Sequence, residues 1–286
     1  MRFPKYLQSL TSAAVRHLVY SNLWIALLAT ASLWQAALLL EADPPAHLFA
    51  LVFFATLAHY NLDRLLEYQH FANSKQLRLQ WLGQRKKALL IFTLLSGAAA
   101  AYFLSLQTTS VIRWVALLVL VALSYSLFFS GFKKHFVLRW LGSLKPLLIG
   151  FVWMGMGPAL LLIHLQLPLT EHGSWLLSNT LFIAALCLPF DWRDREQDHQ
   201  KGTQSLALLL PKAIFSRLLL GLLLVHWGLF SFSFPVYANL LLPVTAFSMW
   251  LCLHSLNRNK EWLYVFGIDG LIGLQAITIA LQHYWH

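Results

Sequence analysis

The sequence predicts an all-α, polytopic integral membrane protein, and three observations carry that prediction. Of its 286 residues 58% are hydrophobic and only 11% charged, its mean hydropathy is +0.62, and long apolar runs recur along its whole length. Soluble globular chains carry about twice that share of charge. The runs fall at about 18–40, 45–62, 88–107, 110–130, 142–165, 174–190, 213–233, 236–255 and 263–282. Most approach the roughly 20 residues that cross a bilayer as a helix, so about nine transmembrane helices are expected. A polar turn, QTTS, joins the third and fourth runs, and a turn at Pro235 joins the seventh and eighth.

The connections fix the orientation. Of the 21 Lys and Arg residues, all but Arg113 fall in or just beside alternate connections, and such bias marks the cytoplasmic side. The N-terminus is therefore expected on the cytoplasmic side, with the C-terminus across the membrane. The net charge of +10 becomes a topology signal, because the bases are scattered over short loops and form no continuous arm; no nucleic-acid partner is expected. Cys187 and Cys252 lie inside apolar runs with no CxxC or Cys/His cluster, so neither a disulfide framework nor a zinc site is indicated. No cleaved signal peptide is expected, since the first run is too long and no small-residue cleavage pattern follows it. Residues 4–17 suit a short helix on the cytoplasmic face. The longest hydrophilic connections, about 63–87 and 191–212, are too short for a soluble domain, so residues 1–286 read as one membrane domain.

The most informative stretch is DWRDREQDHQKGTQSL, Asp191 to Leu206, directly after an apolar run. On a helix Asp191, Asp194 and Asp198 fall at i, i+3 and i+7, so their carboxylates share one face, with Lys201 near the same stripe. Two carboxylates about 6 Å apart repel by roughly 3 kcal/mol at an effective dielectric near 20. Three together call for a divalent metal or several bases. The competing reading is a solvated charged loop in which Asp191 pairs with Arg195 and Asp198 with Lys201, leaving Asp194 without a cation of its own.

An earlier stretch, HYNLDRLLEYQ, repeats the pattern: His59, Asp63 and Glu67 stand at i, i+4 and i+8. Taken alone they are equally readable as headgroup-level charges balanced by Arg64. The succession of apolar run, acid stripe and basic segment is shared by the second and sixth runs and suggests two similar halves facing a common centre. Acids from two helices can jointly hold a diphosphate-bound Mg²⁺ while bases meet the remaining phosphate charge.

These motifs resemble the UbiA superfamily of intramembrane prenyltransferases. DWRDREQDHQKGTQSLALLLP is similar to that family's Asp-x-x-Asp-x-x-x-Asp followed by Gly and a Thr or Ser-Leu pair. The resemblance implies that Asp191, Asp194 and Asp198 bind Mg²⁺, with Arg193 and Lys201 contacting diphosphate. In the first motif Asp63, Arg64 and Glu67 match the family's closing acid-Arg-acid, while His59 and Tyr60 stand where Asn and Asp are usual; a register anchored on Asn61 loses the acids. By resemblance Asp63 and Glu67 are metal ligands, and Asn61 and Arg64 substrate contacts. SYSLFFSGFKKH resembles the family's Tyr-and-Lys loop, implicating Tyr125, Lys133 and Lys134, while LRWLGSLKPLLIGFVW and IDGLIGLQ are similar to a divergent bacterial branch.

The implied activity is Mg²⁺-dependent transfer of an isoprenyl group from its diphosphate to an apolar or aromatic acceptor, among membrane lipids, with Asp63, Asp191, Asp194 and Asp198 as the catalytic acids. Two other classes fit the sequence: a UbiA-fold protein without transfer activity that binds a lipid or assists a partner, suggested by the thinner first motif, and a secondary transporter. Transporter sites lie near the midplane between broken helices, whereas these acids cluster at one surface. His164, His226 and His254 have no partners at ligand spacing and suit packing or local hydrogen bonds. Asp269, an acid within the last run, suits either a functional role or a helix-to-helix hydrogen bond. Lys145, beside Pro146, is expected to extend to the interface.

Overall fold

The computed structural model describes residues 17–71, 77–131, 136–201, 204–258, 260 and 262–285, with side chains undescribed at 69–71, 77–79, 125–131, 136–141, 197, 200 and 201. The surface helix expected over 4–17 lies almost wholly outside the described residues. No strand occurs among them. The elements run α1 (Leu23–Leu39), α2 (Ala46–Phe71), α3 (Leu77–Ser105), α4 (Thr109–Gly131), α5 (Phe136–Met156), α6 (Pro158–His164), α7 (Gly173–Lys201), α8 (Leu206–Leu209), α9 (Lys212–Ser233), a 3₁₀ turn (Pro235–Tyr237), α10 (Ala238–Ser255), a π turn (Leu263–Ile268) and α11 (Gly270–Trp285).

Among the described residues, six stretches are long and apolar enough to cross a membrane: Gln80–Ser105, Gly142–His164, Gly173–Glu196, Lys212–Ser233, Pro235–Ser255 and Leu263–Trp285. The chain is an integral membrane protein. Leu23–Leu39 and Thr109–Ser124 are apolar but shorter. The second apolar run is diluted, because its helix α2 continues through His59, Asn61, Asp63, Arg64 and Glu67.

Helix ends follow local chemistry. After α1, Glu41 takes a left-handed φ of 50°, the Glu41 N–H donates to the Leu38 carbonyl, and the Ala42 N–H donates to the Ala37 carbonyl. That pair of bonds is a Schellman motif, and the prolines at 44 and 45 prevent the helix from resuming at once. Gln166, at φ 60°, ends α6 in the same way, with Leu167 N–H donating to the Leu162 carbonyl.

The chain packs as two compact units, residues 1–30 with 45–106 and residues 31–44 with 107–286. In the first, α2 and α3 form a tightly packed pair around Leu65, Leu82 and Leu89, covered by Tyr68, Trp81 and Phe92. The opposite side of α3 exposes Ile91, Leu94 and Leu95 by 58–64%. An apolar outer face of that kind suits lipid.

In the second unit α7 packs against both α5 and α9. The buried residues of α9 are Phe215, Leu219, Leu223, His226 and Phe230, a stripe at helical spacing. Ser178 of α7 and His226 of α9 close on each other: Ser178 Oγ donates to the His226 carbonyl at 2.9 Å, and His226 Nδ1 lies 2.9 Å from Ser178 Oγ. His226 is thus a packing residue, as its lack of ligand partners suggests. On the α5 side the two backbones nearly touch, because a Cβ at Gly150 would sit 2.3 Å from the Thr180 carbonyl oxygen. Only glycine permits that approach.

Candidate functional site

In the first unit, α2 carries the earlier acids. His59 Nε2 lies 3.6 Å from Asp63 Oδ2, and Arg64 Nη1 donates to Glu67 Oε2 at 2.8 Å. The i,i+4 and i,i+3 spacings read from the sequence produce these contacts directly. Asn61 is fully buried, and its Oδ1 accepts from Asn22 Nδ2 at 2.8 Å. Asn61 Nδ2 and Asp63 Oδ1 are buried without a hydrogen-bond partner.

In the second unit the charged stretch from Asp191 is helix, not loop, since α7 continues without interruption to Lys201. This corrects the solvated-loop alternative and its Asp191–Arg195 pairing, whereas the Asp198–Lys201 pairing involves a side chain outside the described residues. The Asp191 side chain is 1% exposed and its Oδ1 lies 3.3 Å from Lys145 Nζ on α5. Asp191 Oδ2 is buried with no hydrogen-bond partner. Lys145, expected at the headgroups, instead turns inward to the acid. Burying one charge without the other costs several kcal/mol, so the pair is mutually required.

Asp194 also has a cation, contrary to the loop reading. Arg193 Nε donates to Asp194 Oδ1 at 2.7 Å and Arg193 Nη2 to Asp194 Oδ2 at 2.8 Å. The guanidinium lies 4.9 Å from the Tyr264 ring centroid and 5.2 Å from that of Phe190, a geometry that favours a cation. Tyr264 is fixed in turn, since its hydroxyl donates to the Ser255 and Arg258 carbonyls at 2.9 and 3.1 Å. Arg195 stacks on Trp192 at 4.4 Å and does not pair with Asp191. Asp198 is half-buried and, with Asp194, acts electrostatically on Asp191. Asp269, which follows the π turn, acts on Arg193 and on Cys187. The sequence reading missed Lys145 and Tyr264 as members of this group. A lysine inside an apolar run was the available signal, because such a base normally pairs with an acid.

Among the described residues no three His, Cys, Asp or Glu side chains gather to hold a metal ion. The donor that suits a cation is Asp191 Oδ2, whose oxygen accepts no hydrogen bond. Both Asp194 oxygens accept from Arg193 and would need to exchange that partner to ligate. Lys133 and Lys134 lie outside the described residues, as do the side chains of Tyr125 and Lys201.

No family model and no curated protein sequence matches the chain. A solved structure of a digeranylgeranylglyceryl phosphate synthase in membranes does match, with a TM-score of 0.57 over 94% of this chain and 97% of that one, at 13% sequence identity. The chain therefore shares the fold of that membrane synthase over almost its whole length.

Proposed function

We propose that this protein transfers an isoprenyl group from an isoprenyl diphosphate to a lipophilic or aromatic acceptor within the membrane, with Mg²⁺ as cofactor. The observation that carries the proposal is Asp191: a buried carboxylate with one oxygen on Lys145 and the other without a donor, on the helix that also carries the Arg193–Asp194 pair. That is an arrangement of fixed charge able to receive a metal-bound anion. The fold likeness supports the same class of activity.

In this reading residues 1–286 are one domain of about nine membrane helices around a central cavity, the N-terminus is cytoplasmic, and the membrane is a bacterial inner one. Asp191, Asp194, Asp198, Asp63 and Glu67 serve the metal. Asn61, Arg64, Tyr125, Lys133, Lys134, Arg193 and Lys201 serve the substrate. Bound Mg²⁺ would offset charge on the departing diphosphate. Arg193 and its neighbouring bases hold the phosphate oxygens as the allylic C–O bond breaks. Diphosphate leaves with the bonding pair, a nucleophilic atom of the acceptor forms the new bond at the same carbon, and the acceptor loses a proton.

The test is binding of an unreactive isoprenyl thiodiphosphate to the protein in lipid nanodiscs with and without Mg²⁺. Asp194→Asn and Asp198→Asn should each remove the Mg²⁺-dependent part. Wild-type binding that ignores Mg²⁺, or variants that bind as the wild type does, would count against the reading. A UbiA-fold protein that binds lipid without transfer is the second reading, favoured by the chain's own cations on Asp191 and Asp194. Turnover with any acceptor removes it.

A further inference from the structure

We propose that the first turns of α3 form a binding site for an anionic phospholipid, with Arg85, Lys86 and Lys87 on its phosphate and the apolar residues that follow along its acyl chain. The three bases are consecutive and all exposed. Among the described residues no carboxylate pairs with any of them, and Glu67 of the neighbouring helix α2 is held by Arg64. Two of the bases rest on aromatic rings instead. Arg85 Cζ lies 5.1 Å from the Trp81 ring centroid, and Lys86 Nζ lies 5.6 Å from that of Tyr68. Tyr68 comes close to α3 because a glycine faces it: a Cβ at Gly83 would meet the Tyr68 hydroxyl at 2.9 Å. Trp and Tyr are the aromatic residues that settle at headgroup level. Cations already held on such rings lose less freedom on gathering around one anion. The Arg85 fork can give two parallel hydrogen bonds to phosphate oxygens, and the two ammonium groups add point charges.

The course of α3 selects a lipid over a soluble anion. The helix kinks at Arg85, whose φ of −126° and ψ of 15° are non-helical, where bases give way to apolar residues. Leu90 and Ile91 stand four residues after Lys86 and Lys87, one turn on, and Leu94 and Leu95 stand a further turn beyond. These four are exposed by 46–64%, and Gln80–Ser105 is the least buried of the six spans. An exposed apolar stripe therefore begins directly after the cations. A phospholipid has the matching order, an anionic phosphate joined to an acyl chain, so one molecule meets both parts, whereas a free phosphate meets only the first. This site needs neither the metal nor the diphosphate of the proposed function.

Native mass spectrometry of the full chain in detergent micelles, titrated with phosphatidylglycerol or with phosphatidylcholine, tests this. The wild type should bind phosphatidylglycerol at least about tenfold more tightly than phosphatidylcholine. The triple variant Arg85→Gln, Lys86→Gln, Lys87→Gln should lose that preference. Lys86→Arg with Lys87→Arg keeps the charge and should bind as the wild type does. Removing the same charge from other exposed positions, with Arg217→Gln, Arg258→Gln and Lys260→Gln together, should leave most of the preference in place. Glycerol phosphate, the soluble counterpart of the headgroup, should displace the lipid no more than ammonium acetate of equal ionic strength does. A wild type without the preference overturns the inference. Equal losses in the two glutamine variants overturn it too, because the attraction is then a general field, and so does a loss in the charge-keeping variant as large as that in the Arg85, Lys86, Lys87 variant. Specific displacement by glycerol phosphate overturns the choice of a lipid, since the bases then hold a free phosphate.

Discussion

Lys145 and Asp191 illustrate how much a side chain's meaning depends on a partner that one-dimensional spacing does not reveal. The acid stripe was legible, because i, i+3 and i+7 are fixed by helical geometry. The base that meets it was not, because the pair joins residues 46 positions apart on two helices. Apolar content sets a residue's depth in the membrane but leaves its azimuth open, so Lys145 read as a headgroup anchor. Removing it should leave Asp191 buried and unpaired. Lys145→Met is expected to cost about 3 kcal/mol and to lower the thermal unfolding midpoint in detergent, with the Lys145→Met, Asp191→Asn pair recovering most of the loss. Equal midpoints for single and double variants would mean that the contact is energetically idle. Arg193 makes a second case: two parallel hydrogen bonds to Asp194 and two aromatic faces suit a planar guanidinium and not an ammonium. Arg193→Lys should weaken isoprenyl thiodiphosphate binding by about tenfold, roughly 1.4 kcal/mol, which a titration in nanodiscs would measure.

Helix α7 shows where element-level reading succeeds and where it stops. Its apolar half, Gly173 to Phe190, was plain from composition, but the charged continuation could be helix or loop. It remains helical, and two of its bases find partners on the helix itself: Arg193 on Asp194 and Phe190, Arg195 on Trp192. The joint between α5 and α7 was not legible, since a glycine in an apolar run gives no hint of the carbonyl that it faces. Gly150→Val should push α5 away from Thr180 and pull Lys145 off Asp191. The variant is expected to lose at least about 2 kcal/mol of stability together with most diphosphate binding, whereas Gly97→Val, at a glycine with open space around it, should leave both within error. Matched losses at the two positions would remove the special role of Gly150. Elsewhere the short turns at QTTS and Pro235 appeared where the sequence put them, because polar and proline residues interrupt apolar runs for local reasons.

At the scale of the molecule, the fold class followed from composition, and the outward-facing Ile91, Leu94 and Leu95 agree with a lipid surround. The expected orientation rests on the Lys and Arg bias alone, so it makes a separate prediction. Single cysteines introduced at Arg217 and Arg258, in a chain whose Cys187 and Cys252 are replaced by Ala, should react with a membrane-impermeant maleimide from the cytoplasmic side, and a cysteine at Arg113 from the other. The reverse pattern would invert the topology.

The central claim is that Asp191 and Asp194 of α7 serve a metal-bound diphosphate. Phosphorus NMR of an isoprenyl thiodiphosphate bound in nanodiscs, titrated with Mn²⁺, tests it most directly. Strong paramagnetic broadening is expected in the wild type, lost in Asp191→Asn and, separately, in Asp194→Asn. Undiminished broadening in either single variant would contradict it.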